Sequence, residues 1–124
     1  MKDDVRRGLV YVAMCSDESI KVVCKSEPFK DFLLANEFTF EPLPQFYEEV
    51  FGDVKGMYFV RRAINEDERV AVLDRLRNAG IPFSGGKAWS PQDVFEALRD
   101  SGKLNGTYLA LDWMGDGAFE LVVK

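Results

Sequence analysis

Histidine is absent from this sequence of 124 residues, and cysteine occurs only twice, at Cys15 and Cys24. The first absence removes the side chain most often used as a general acid or base near neutral pH. With two thiols and no imidazole, a zinc site of the usual ligand types cannot be assembled within one chain. Long apolar runs are lacking too, since none approaches the roughly 18–20 residues that a membrane-spanning helix needs. The stretch from Gly8 to Cys15 is apolar, but it follows Asp3 and Asp4 and leads to no small-residue cleavage site. A first strand is therefore expected there instead of a signal peptide, in a cytoplasmic protein.

The familiar nucleotide and nucleophile motifs are missing as well. The stretch "AGIPFSGGKAWSPQD" comes nearest to a phosphate loop, with Gly80 and Gly85 at the right interval. Its next residue is Gly86 where a lysine is required; Lys87 comes one place late, and Ala88 stands where Ser or Thr would hold magnesium. Gly80 is better read as the residue that closes a helix, and Gly85–Lys87 as a connector that offers at most a backbone nest for an anion. Neither a G-x-S-x-G elbow nor a G-x-G-x-x-G fingerprint occurs. No enzyme activity, cofactor or metal is expected.

Aromatic residues are plentiful, with ten Phe, four Tyr and two Trp, and no segment is low in complexity. A chain of this length supports one domain, here residues 1–124, that buries roughly two-thirds of the surface its unfolded form exposes. "GLVYVAM" and "IKVVC", joined by a polar turn, predict an N-terminal hairpin. Placing the turn at Ser16–Ser19 sets Cys15 opposite Ile20 and Cys24 opposite Tyr11. Leu9, Tyr11, Ala13, Cys15, Ile20, Val22 and Cys24 then share the core face, while Val10, Val12, Met14 and Val23 lie on the other. The two cysteines fall about 13 Å apart by strand rise, beyond the roughly 7 Å between Cα atoms that a disulfide tolerates, and reduced thiols are expected.

Ser26 and Pro28 predict a helix start, with Phe29, Phe32, Leu33 and Asn36 at helical spacing. "EFTFEP" predicts a strand, and residues 43–54 fit either a helix or a strand. "KGMYFVRRAI" predicts another strand. "NEDERVAVLDRLRNAG" is the clearest helix, capped by Asn65 with Glu68 three places on, acidic first and basic last. "IPFSG" is a short extended piece. A last helix starts at Ser90–Pro91 and ends at Gly102, and "TYLALDW", "MGDG" and "AFELVVK" form a closing hairpin. The expected fold is α+β: a mixed or mostly antiparallel sheet with hairpins at both ends of the chain and about three helices packed on it.

Net charge is −5, distributed unevenly: −5 over residues 1–54, +3 over 55–88 and −3 over 89–124. Two sets of candidate residues follow. Asp112, Asp116 and Glu120, with Trp89, suit a protein partner, the acids steering a basic surface and the tryptophan anchoring it. Taking Trp113 opposite Ala118 sends Asp112 and Glu120 to opposite faces of the hairpin, and solvent-facing acids are the plainer account. Trp89 has a plainer account too, as a staple on the helix it precedes. Arg61, Arg62, Arg69, Lys87 and Trp89 are the alternative, a basic patch with a stacking aromatic for unpaired bases, to which Arg75 and Arg77 would add charge. Arg61 and Arg62 alternate across a strand, and ordinary ion pairs with Glu66 or Asp67 compete with that reading. The function expected first is a small acidic, non-enzymatic protein-binding domain of inhibitor, immunity or adaptor type. A nucleic-acid accessory domain comes second.

Overall fold

A computed structural model describes residues 2–16, 19–41, 58–62, 65–85, 90–116 and 118–124. In chain order these form α1 (Lys2–Arg6), β1 (Val10–Cys15), β2 (Ser19–Cys24), α2 (Glu27–Ala35), β3 (Thr39–Glu41), β4 (Tyr58–Arg62), α3 (Glu66–Asn78), β5 (Phe83–Ser84), α4 (Pro91–Asp100), β6 (Leu109–Gly115) and β7 (Ala118–Val123). The fold is α+β, as expected, with a seven-stranded mixed sheet ordered β3-β4-β2-β1-β5-β6-β7. Antiparallel pairs occupy both ends, and the two-residue β5 joins them by running parallel to both β1 and β6. α4 supplies the crossover that two neighbouring parallel strands require. The short N-terminal helix α1 is an addition to the helices read from sequence.

The caps explain where the helices begin and end. At α3, the Glu68 amide donates to Asn65 Oδ1 at 2.8 Å, and Asn65 Nδ2 donates to Glu68 Oε1 at 2.8 Å. Such a cap is worth about 1 kcal/mol. Gly80 closes α3 with φ +81°, and the Ile81 amide reaches back to the Leu76 carbonyl at 3.2 Å. Ser90 caps α4, its hydroxyl accepting from the Asp93 amide at 3.4 Å. Ser26 holds the N-cap position of α2 without a side-chain cap bond. Its hydroxyl donates instead to Asp4 Oδ2 at 2.6 Å, tying α1 to the start of α2.

The main core lies between the sheet and the helices. Val10, Val12, Ile20, Val22 and Phe59 meet Phe29 and Leu33 of α2, Val72, Leu73 and Leu76 of α3, and Phe95 and Leu98 of α4. Fully burying each such side chain stabilises the fold by about 1.5–3 kcal/mol. A smaller cluster of Tyr11, Val23 and Leu111 lies apart from this core, with Phe119 and Leu121 packed against it. Its members alternate with the helix-facing residues, so it marks the opposite face of the sheet.

That division corrects the expected faces of β1. Cys15 does pair with Ile20, but Val12 pairs with Val22 and Met14 with Lys21, so Ala13 is left over in a bulge. One extra residue moves every earlier side chain of the strand to the other face. Val10 and Val12 therefore pack under the helices, and Tyr11, opposite Val23, joins the far side. Both cysteines remain buried free thiols, and burial pushes the Cys24 thiol up from its ordinary value. Among the described residues, no helix is long and apolar enough to cross a membrane.

Candidate interaction surface

Among the described residues, the end of the β6–β7 hairpin carries two adjacent exposed apolar side chains, Trp113 and Met114. Its turn is tight because Gly115 and Asp116 both take left-handed backbone angles, φ +93° and +52°. Aspartate is one of the few non-glycine residues that visits this region routinely. Gly117, also expected to supply such an angle, lies outside the described residues. Trp113 pairs with Phe119 and Gly115 with Ala118, leaving Met114 in a bulge. The expected register of Trp113 opposite Ala118 is thus one residue out.

The corrected register changes where the acids stand. Asp112 and Glu120 are direct cross-strand partners on the helix-bearing face, instead of on opposite faces. Asp112 is engaged within the fold: Gln92 Nε2 donates to Oδ1 at 2.9 Å, and the Lys124 ammonium sits 3.1 Å from Oδ2. These contacts, led by the Gln92 hydrogen bond, hold the Asp112 carboxyl below its ordinary value. Glu120 and Asp116 are both exposed, with Asp116 in the turn itself. Among the described residues, no set of three or more Cys, Asp or Glu side chains gathers as metal donors.

Gln92 was not legible as a structural residue. It lies in the first turn of α4, is 7% exposed, and its amide nitrogen also donates to the Phe83 carbonyl at 3.0 Å and the Leu111 carbonyl at 3.3 Å. It locks the helix start onto β5 and β6. Gly85 leaves room for it, since a Cβ there would stand 3.3 Å from the same nitrogen. The described glycine of the "SGGK" stretch thus serves packing against a neighbouring side chain.

On the other face, Trp113 is held by two ring edges. Tyr11 meets it at a centroid distance of 5.5 Å and 81°, and Phe119 at 5.9 Å and 75°. Edge-to-face pairs of this kind add about 0.5–1.5 kcal/mol beyond area burial. The Tyr11 contact passes over β5, which offers only the small Ser84 on that face; the Ser84 hydroxyl is turned to the Val12 carbonyl at 2.7 Å. Burial pushes the Tyr11 hydroxyl up to about 12. Trp113 is nevertheless 45% exposed, with Met114 beside it at 64%. Sequence reasoning used Trp113 only to set a register. The available signal was an aromatic followed by methionine at the mouth of a turn between two acids, "DWMGDG".

The arginines make contacts within the fold, and Arg61 and Arg62 point to opposite faces of the sheet. Arg61 faces the helices, donating to the Asn36 carbonyl at 2.9 Å, Glu37 Oε2 at 2.6 Å and Glu68 Oε2 at 2.9 Å. It thereby secures the end of α2, where Glu37 takes a left-handed φ of +67°. Arg62 extends from the opposite face and grips Glu41 through two nitrogens, at 3.0 and 2.8 Å, which draws the Glu41 carboxyl below its ordinary value. The partners are therefore Glu37, Glu68 and Glu41, instead of Glu66 or Asp67; Glu66 pairs with Lys103. Arg69 donates to the Ser16 carbonyl at 3.4 Å, and Arg75 to Asn36 Oδ1 at 3.4 Å.

Arg77 pairs with Asp74, donates to the Asn105 and Thr107 carbonyls, and lies 5.7 Å from the Phe95 ring centre. Lys87 and Trp89, candidates of both readings between them, lie outside the described residues, as does segment 43–54. No protein-family model matches this chain, and neither a curated protein nor a solved structure does.

Proposed function

We propose that this chain is a protein-binding domain of inhibitor, immunity or adaptor type whose contact surface is the end of the β6–β7 hairpin. The carrying observation is Trp113, close to half exposed yet fixed in orientation by Tyr11 and Phe119. A large aromatic already ordered before binding loses little conformational freedom on contact, which is the property of an anchor residue. Met114 beside it adds an adaptable apolar contact. Asp116 and Glu120 give this end an acidic rim suited to a basic surface on the partner, and their charge acts mainly on the rate of encounter.

Quantitative affinity capture from the native host's lysate tests the reading, comparing wild type with Trp113→Ala. The expected result is a protein held by wild type and depleted about tenfold or more in the variant, the loss of a single anchor contact. Equal recovery by both chains contradicts it.

A further inference from the structure

The two ends of the sheet are built differently. At one end β3 is three residues long, and its Glu41 is bound by Arg62 on the neighbouring strand. Short edge strands are a common protection against unwanted pairing. At the other end β7 runs for six residues, Ala118–Val123, as "AFELVV". It has no proline, no lysine and no bulge of its own, since the irregularity of the hairpin lies in β6 at Met114. This is the kind of edge that accepts another strand.

The register fixes which backbone groups are on offer. Lys124 donates its amide to the Tyr108 carbonyl at 2.9 Å, so these opposed residues form a hydrogen-bonded pair. Hydrogen-bonded and non-hydrogen-bonded pairs alternate along an antiparallel ladder. Ala110 with Val122 and Asp112 with Glu120 are then hydrogen-bonded pairs, and Phe119, Leu121 and Val123 turn their amides and carbonyls away from β6. Their side chains lie on the face that carries Trp113, and Val123 is 68% exposed.

We propose that the occupant of this edge is a second copy of the same chain, its β7 paired antiparallel with the first about a two-fold axis at Leu121. Only this register lets all three outward-facing residues of each copy pair with outward-facing residues of the other. It sets Leu121 against Leu121 of the second copy at the axis, and Phe119 against Val123 of the second copy on both sides. Aromatic with β-branched is a favourable cross-strand combination. On the helix-bearing face, Glu120 stands opposite Val122 of the second copy, with Lys124 and Glu120 of the second copy as its two diagonal neighbours, so no like charges stand directly opposite each other. A closed two-fold arrangement of this kind consumes the open edge of both copies. The hairpin ends bearing Trp113 lie at opposite ends of the paired strands, so the dimer presents two copies of the proposed contact surface.

Sedimentation equilibrium across a micromolar concentration series tests this with wild type, Leu121→Pro and Val123→Lys. Proline at 121 removes an outward amide that the ladder with β6 does not use, a position where edge strands tolerate it. The expected result is twice the chain mass for wild type and the single-chain mass for Leu121→Pro, with unchanged far-ultraviolet circular dichroism. If Leu121→Pro does not fold, Val123→Lys decides, since it places a charge against Phe119 of the second copy at an exposed position; at least a tenfold weaker association is expected. A wild type that stays monomeric throughout overturns the proposal. So does a dimer that survives the folded substitutions.

Discussion

Asp112 and Glu120 stand directly opposite each other across β6 and β7, two carboxylates on one face of a hairpin. Only Asp112 has compensation among the contacts described, through Gln92 and Lys124. The two acids therefore differ in what they contribute to stability, although they look equivalent in the sequence.

Glu120→Gln is expected to raise stability at neutral pH by a few tenths of a kcal/mol, because like charges directly opposite are unfavourable. Urea unfolding at pH 7 in low and high salt, at a protein concentration low enough to hold the chain monomeric, reads this directly. The gain should shrink at high salt, which screens the repulsion between the two carboxylates.

Asp112→Asn is expected to act in the opposite direction. The folded carboxyl titrates below its ordinary value, so its stabilisation is fully present above the unfolded value near pH 4 and is lost as pH falls through the folded value. With the pair about one-third exposed, the cost at pH 7 should be a few tenths to about 1 kcal/mol. The difference from wild type should close as the pH is lowered beneath the folded value.

Gly8 is expected to resist substitution. Its φ is +70°, and a Cβ there would lie 2.8 Å from the Phe119 ring. Gly8→Ala should cost about 1–3 kcal/mol, combining left-handed strain with overlap. In a double-mutant cycle with Phe119→Ala, the overlap part of the cost should disappear and the backbone part remain.

Neutralising Asp116 and Glu120 together is expected to slow association with a captured partner at low salt more than it speeds dissociation. Asp112→Asn should change that rate less, because Lys124 already offsets its charge. Stopped-flow mixing at two ionic strengths distinguishes these cases, and an unchanged rate for the double variant at low salt counts against steering.

Labelled single- and double-stranded oligonucleotides are expected to show no anisotropy change with this protein, even at low salt. Arg61 and Arg62 lie on opposite faces and each is paired with glutamate, so neither is free to neutralise phosphate without breaking those contacts. Salt-sensitive binding abolished by replacing both with alanine would contradict this.

The elements themselves were largely legible, for local reasons. Asn65 and Glu68, Gly80, Ser90 with Pro91, and Gly102 are punctuation that acts over a single turn, and the helices begin and end close to these marks. The faces of β1 were not legible. "VYVAMC" is apolar on both sides because both sides are packed, so no alternation betrays the bulge at Ala13. The register of the last hairpin escaped for a related reason, since "MGDG" allows turns of more than one length. The arginine-rich segment misled because local sequence does not reveal that Glu37 and Glu41, more than twenty residues away, are brought beside Arg61 and Arg62.

The most direct test of the proposed contact surface places a photoactivatable cross-linking residue at Met114 and, in a separate chain, at Leu34, which is 54% exposed on α2. Irradiation in the native host's lysate is expected to give a discrete covalent adduct from position 114 and none from position 34. The position-114 adduct should be lost when Trp113→Ala is added. An adduct from position 34 alone, or one from position 114 that persists without Trp113, would contradict the account.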